Sequence, residues 1–320
     1  MIDMILASQV FNTNLLAASI RLSTPIALAA IGATICERSG VVNIAMEGIM
    51  IVGAFFALWF TKLTGSPWLG LLAGLTFGGV YSLLHAWATV TLHLDHTVSG
   101  AVLNILALGI TRYMMVLAYG HPGTSDTIAH TLADYKFAVP VISKIPILGE
   151  ALFDQTPIVY IMYISVIFFT WFMKKTKVGL HIKAAGEHPL ALETIGVSVY
   201  KIRYLGVIIS GLMGGIGGAY LSIENQATFT ENMTNGRGFI AMAAMISGGW
   251  TPIGSFLAAL FFGFADAFQL RLQVSGNIAV PSELFTIVPY VATVAAVAGL
   301  VRKSTAPKAD GKDFIIEKEE

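Results

Sequence analysis

The chain has 320 residues, 55% of them hydrophobic and 12% charged, with a mean hydropathy of +0.74. Soluble chains run at roughly 25% charged, so an apolar excess on this scale cannot be hidden in one globular core and needs lipid as its solvent. Lys and Arg balance Asp and Glu at 19 each, which excludes a basic surplus for nucleic acid, and the single cysteine, Cys36, excludes an internal disulfide.

A spanning helix needs about 20 apolar residues to cross roughly 30 Å of hydrocarbon. Met4–Val10 reads either as part of such a helix or as an interfacial segment, and no basic n-region or small-residue cleavage site near residue 25 marks a signal peptide. Leu15–Ile35 is the first full span and Ala45–Phe60 the second. Asn43 and Glu47 lie four apart where the second begins. Polar groups inside a span are costly and must face the bundle interior or water. Asn43 and Glu47 can therefore offer hydrogen bonds to the hydroxyls and ring heteroatoms of a polar solute. Alternatively, Asn43 caps the helix starting near Ala45 and Glu47 pairs with a cation such as Arg38.

Trp68–Leu92 carries Gly70, Gly74 and Gly78 at every fourth position, a spacing that lets helix backbones approach closely in lipid. Val98–Tyr119 places Asn104 in mid-span, where it either meets solute from a facing helix or serves the bundle itself. Ile158–Met173 and Tyr204–Ser222 follow, the latter with Gly211, Gly214, Gly215 and Gly218 at the same packing spacing. Gly238–Leu272 is too long for one span and is broken by Gly248, Gly249 and Pro252, which predicts two helices, the first short. Asp266 and Gln269 lie three apart in the second and either pair across helices or line a path. Glu283–Val301 is the last span. The total is nine, or ten with the N-terminal segment, in an all-α polytopic bundle over residues 1–303 with a charged tail at 304–320.

Loop charge sets the orientation. Lys174, Lys175, Lys177, Lys183, Lys201 and Arg203 put the loop 174–203 in the cytoplasm, together with the tail residues Arg302, Lys303, Lys308, Lys312 and Lys318. Gly120–Thr156 holds only Lys136 and Lys144 and belongs outside. Within the cytoplasmic loop, Pro189 suits the first position of a helix and Gly196 the residue beyond its end. A two-turn helix is marginal in water; with Leu192 and Ile195 on one side it makes sense as an element that docks into a partner.

Catalytic signatures are absent. There is no G-x-x-x-x-G-K-[ST] loop to hold nucleotide phosphates, and Gly263-Phe-Ala-Asp266 lacks the second glycine of an intramembrane aspartyl protease motif. His93-Leu-Asp95-His96 has metal-like residue types but reads as a solvated turn at a span end. No metal or cofactor is expected, and the chain reads as a non-enzyme.

The stretch Gly186-Glu-His-Pro189 to Ile195-Gly196, followed by Gly211-Leu-Met-Gly-Gly-Ile-Gly-Gly218, resembles the coupling loop and next span of bacterial ABC importer permeases of the branched-chain-amino-acid/ribose class. Glu37-Arg-Ser-Gly-Val-Val-Asn-Ile-Ala-Met-Glu-Gly48 and Gly236–Trp250 resemble that class's nucleoside/simple-sugar branch. His188 departs from the asparagine expected before the proline. The resemblance implies a permease subunit in a bacterial inner membrane for a nucleoside or a simple sugar such as ribose. It would pair with a second homologous permease chain, a cytoplasmic ABC ATPase and an extracytoplasmic binding lipoprotein. Gly186, Glu187, His188, Pro189, Leu192, Ile195 and Gly196 would form the ATPase-coupling element. Asn43, Glu47, Asn104, Asp266 and Gln269 are the pathway candidates. The competing reading is a secondary transporter driven by protons or sodium, with Glu47 or Asp266 as the ionisable site.

Overall fold

A computed structural model describes residues 13–138, 148–275 and 305–314, with isolated positions 291 and 294. The expected span Glu283–Val301 (save positions 291 and 294) and the segment Met4–Val10 lie outside the described residues. Among the described residues, seven helices are long and apolar enough to cross a membrane. In chain order the helices are α1 (Thr13–Arg38), α2 (Met46–Thr64), α3 (Pro67–Ala86, prolonged by a π turn over Trp87–Thr91) and α4 (His96–Tyr119). They continue with α5 (Leu148–Phe153), α6 (Pro157–Lys175), α7 (Lys177–Glu187), α8 (Pro189–Thr194) and α9 (Val199–Ala219, prolonged by a π turn over Tyr220–Gln226). Last come α10 (Arg237–Ser247) and α11 (Pro252–Ser275). A two-residue antiparallel pairing, Phe137–Ala138 with Asp154–Gln155, is the only sheet among the described residues.

The long apolar run divides as expected, and α10 is the short half. Eleven residues rise about 16 Å, too little for α10 to cross the bilayer by itself, and the loop from Ala227 to Gly236 leads into it. That loop is anchored to the 125–128 segment, where the Ser125 amide donates to the Phe229 carbonyl at 2.8 Å and the Ile128 amide to the Ala227 carbonyl at 3.0 Å.

Helices α1, α2 and α9 form the buried centre, with α3, α10 and α11 packed around them. The glycine spacing produces the expected contacts. A Cβ built on Gly78 would stand 2.7 Å from the Gly215 Cα, and one on Gly53 would stand 2.6 Å from it, so α3, α9 and α2 meet backbone to backbone. By contrast, most of α4 is exposed, with Val102, Ile105, Tyr113 and Leu117 each more than half accessible. A Cβ at its Gly109 would meet nothing within 4 Å.

Candidate functional site

Two helix beginnings meet partway through the bundle, and Glu47 joins them. Helix α2 starts beside Asn104, which stands eight residues into α4 and so about 12 Å from that helix's first residue. The first turn of any helix leaves amides without intrahelical partners, and this chain supplies them from side chains. Asn43 Oδ1 accepts from the Ala45 amide at 3.1 Å and Asn104 Oδ1 from the Gly48 amide at 2.8 Å. The Asn43 and Asn104 amide groups donate in turn to Ser210 Oγ at 3.0 Å and the Ile44 carbonyl at 2.9 Å.

Glu47 turns instead to α10. The Gly236 amide donates to Oε1 at 2.8 Å and the Gly238 amide to Oε2 at 2.6 Å. Gly238 is required there, since a Cβ would lie 2.6 Å from the Glu47 Cα. One carboxylate thus sits in the first turn of α2 and caps the start of α10, where the helix dipoles present partial positive charge. The pairing with a cation such as Arg38 that was open to Glu47 in the sequence is replaced by this cap. Glu224 acts likewise, accepting from the Ile158 amide at 3.2 Å and from the Thr156 hydroxyl at the start of α6.

Asp266 and Gln269 are half-buried on α11. Asp266 lies within electrostatic reach of Arg237 at the head of α10, and Gln269 has no hydrogen-bond partner among the described residues. Arg237 was not among the sequence candidates. The spans read there began at Gly238, one residue too late.

At the end of the bundle where α1 terminates, that terminus, the α10–α11 turn and the loop 174–203 interlock. Trp250 Nε1 donates to Glu37 Oε2 at 2.6 Å, Arg38 Nε to the Trp250 carbonyl at 2.8 Å, and Arg38 Nη2 to the Gly249 carbonyl at 3.3 Å. Arg38 Nη1 then lies 3.6 Å from Glu187. A Cβ on Gly186 would collide with the Arg38 carbonyl, which explains the glycine. Helix α8 starts at Pro189 as expected, and Gly196 follows it in the left-handed region at φ +80°. The expected face needs correction, however. Leu192 is 1% exposed and packs inward, whereas Leu190 and Ile195 are 69% and 67% exposed. Ile195 is the C-cap residue beyond the last helical position, Thr194, and does not share the buried side, so Leu192 alone anchors the helix.

The charged tail contributes an unexpected part. The Ala309 amide donates to the Gly186 carbonyl at 2.7 Å and the Gly311 amide to the Gly40 carbonyl at 3.2 Å. Arg203 Nη1 donates to the Lys312 carbonyl and the Tyr200 hydroxyl to the Phe314 carbonyl, both at 2.9 Å. Phe314 is buried against Tyr200. Burial pushes the Asp310 carboxyl up from its ordinary 3.8 to about 7, against the opposing pull of its bond to Glu37 and of the Arg203 and Arg38 charges. Residues 307–314 thereby strap the loop at Gly186 to the α1–α2 junction and to α9.

The metal-like turn resolves into two structural roles. Asp95 caps α4 by accepting from the Val98 amide at 2.8 Å, and His96 Nδ1 accepts from the Val42 amide at 3.2 Å.

The family described as "Branched-chain amino acid transport system / permease component" matches residues 15–297. The guanosine ABC transporter permease protein NupQ of Bacillus subtilis is 41% identical over 305 residues, covering 92% of this chain and 93% of its own. The nucleoside ABC transporter permease protein NupC of Lactococcus lactis is 38% identical over 303 residues, covering 92% and 94%. The guanosine ABC transporter permease protein NupP of Bacillus subtilis is 26% identical over 287 residues, covering 84% and 77%. With its multi-pass helical bundle and a match running through nearly every span, this chain belongs to the branched-chain amino acid transport system permease family.

Proposed function

We propose that this chain is one of two homologous permease subunits of an ATP-driven importer for nucleosides in the inner membrane. The relatives named for guanosine and nucleosides, at 41% and 38% identity over more than nine-tenths of the chain, carry this reading. The site chemistry supports it. Broken-helix N-termini can receive an anionic substrate group, but here Glu47 already occupies that position at α10. The junction therefore suits an uncharged solute that offers hydroxyls and ring heteroatoms. Two different guanosine permease proteins of one organism, NupQ and NupP, are both similar to this chain, which favours a heterodimer of permeases. A cytoplasmic ABC ATPase and an extracytoplasmic substrate-binding lipoprotein complete the assembly.

In this reading the ATPase engages Gly186–Gly196 through the outward Leu190 and Ile195. ATP-driven closure moves α8, and Glu187 passes the movement to Arg38, hence to the α10–α11 turn. Helix α10 tips about its Glu47 cap, and the path beside Asp266, Gln269 and Arg237 opens to the other side. Asn43, Glu47 and Asn104 shape that path by holding the helix starts, with Asp266 and Gln269 as the solute contacts. An ion-coupled secondary transporter would use Glu47 or Asp266 as its cycling site, and Glu47 is committed to two backbone amides.

The decisive experiment is affinity purification in mild detergent followed by reconstitution. A cassette ATPase and a second multi-span chain should copurify, and guanosine with its binding protein should stimulate ATP hydrolysis. Uptake that survives ATP depletion but stops when the membrane potential is collapsed would overturn the assignment.

A further inference from the structure

A cavity of about 240 Å³ opens between the end of α6, helix α7 and the start of α11. Arg38, Lys174 and Lys183 line it, and of these only Arg38 has an acidic partner among the described residues, Glu187. Burial, together with the Arg38 and Lys174 charges, holds the Lys183 ammonium below its ordinary range. Lys174 and Lys183 thus face the cavity without an acidic partner among the described residues, beside an Arg38 paired with Glu187. The Thr170 hydroxyl on the wall is buried and makes no hydrogen bond, and α11, 24 residues long, begins at the rim with Thr251 and Pro252. Its dipole adds partial positive charge there.

The rest of the wall is apolar, from Met173, Trp250 and Ile253. The two framing helices carry Trp171, Ile253 and Leu257, each about half exposed, on their outer faces. Lys174 lies in the last turn of α6, at the cytoplasmic boundary of the hydrocarbon. A free phosphate would match the cations and leave the apolar wall bare. A phospholipid matches both.

We propose that this cavity binds an anionic phospholipid of the cytoplasmic leaflet, with its phosphate among Lys174, Lys183 and Arg38 and its acyl chain against Ile253 and Leu257. The ligand would neutralise the guanidinium that also holds Glu187, so the membrane's charge would bear on the coupling loop. The site is independent of which solute is carried.

The test is a lipid titration of the full-length chain in neutral detergent, read by native mass spectrometry. Phosphatidylglycerol should be retained and phosphatidylcholine of the same acyl composition should not. Lys174→Gln and Lys183→Gln should each weaken phosphatidylglycerol binding about fivefold, and together about 25-fold, as expected for a lysine near an anionic surface. Lys174 is exposed, so its variant leaves the fold intact, which size-exclusion chromatography verifies. Equal retention of the two lipids would overturn the proposal, as would undiminished binding by the double variant. Displacement by inorganic phosphate beyond that caused by chloride at equal ionic strength would assign the cavity to a free anion and overturn it too.

Discussion

Replacing Glu47 by Gln tests whether this carboxylate holds the protein or the solute. The substitution keeps the shape but removes the charge, and one of two acceptor oxygens becomes a donor facing an amide. Glu47 receives the Gly236 and Gly238 amides at 2.8 and 2.6 Å. A hydrogen bond to a charged group contributes about 1.5–3 kcal/mol, and an unsatisfied buried amide costs about 1–3 kcal/mol. The lost interaction with the α10 dipole adds about 0.3–1 kcal/mol. Relief of carboxylate desolvation offsets part of this, leaving a loss of about 2–4 kcal/mol. At about 2–4 °C per kcal/mol for chains of 150–250 residues, Glu47→Gln should lower the unfolding temperature in detergent by roughly 5–10 °C. Hydrogen exchange at Gly236 and Gly238 should accelerate by about tenfold for each 1.4 kcal/mol lost. If the variant melts like the parent and those amides stay protected while uptake disappears, Glu47 contacts the solute and the capping argument fails.

Four further outcomes follow from the same structure. Asp at the exposed Leu190 and Ile195 should abolish uptake and ATPase copurification without moving the unfolding temperature, whereas Leu192→Asp should lower that temperature because it buries a charge. Glu187→Arg should insert normally and lose uptake, because it sets like charge against Arg38 across the 3.6 Å pair; normal uptake would remove the coupling path. Gly78→Leu should prevent α3 from seating on α9 and cost well over about 2 kcal/mol by overpacking, while Gly109→Ala should leave the isolated chain's melting unchanged. Tail docking should weaken as pH rises. Asp310 has an ordinary value of 3.8 and is pushed to about 7 when docked, so the docked state holds the extra proton between those values. The stabilisation is complete below about 3.8 and lost through about 7. A fluorophore on Lys312→Cys should report this release, since the native Cys36 is buried and unreactive; a signal flat between pH 5 and 8 would refute it.

Glu187 and Gly186 show how far a local motif reaches. Pro189 and Gly196 bracket α8 in the sequence because proline fixes the first turn and glycine tolerates the left-handed exit, both properties of single residues. Which side of α8 faces outward depends on what lies beneath it, so the burial of Leu192 could not be read from spacing. The same division runs through the pathway candidates. Asn43, Glu47 and Asn104 were recognisable as polar groups in lipid, yet their partners lie 2 to 191 residues away along the chain.

The amino-acid sequence by itself determined that this is a helical membrane bundle, where the apolar helices among the described residues run and where the packing glycines lie. These follow from hydropathy, charge and side-chain size, which act over one helix at a time. Only the tertiary structure decided that Glu47 caps α10, that Arg38 ties Glu187 to the 249–250 turn, and that residues 307–314 strap the loop at Gly186. Inside a bilayer every unpaired amide or charge must find a partner on another segment, and only the assembled bundle brings those segments together.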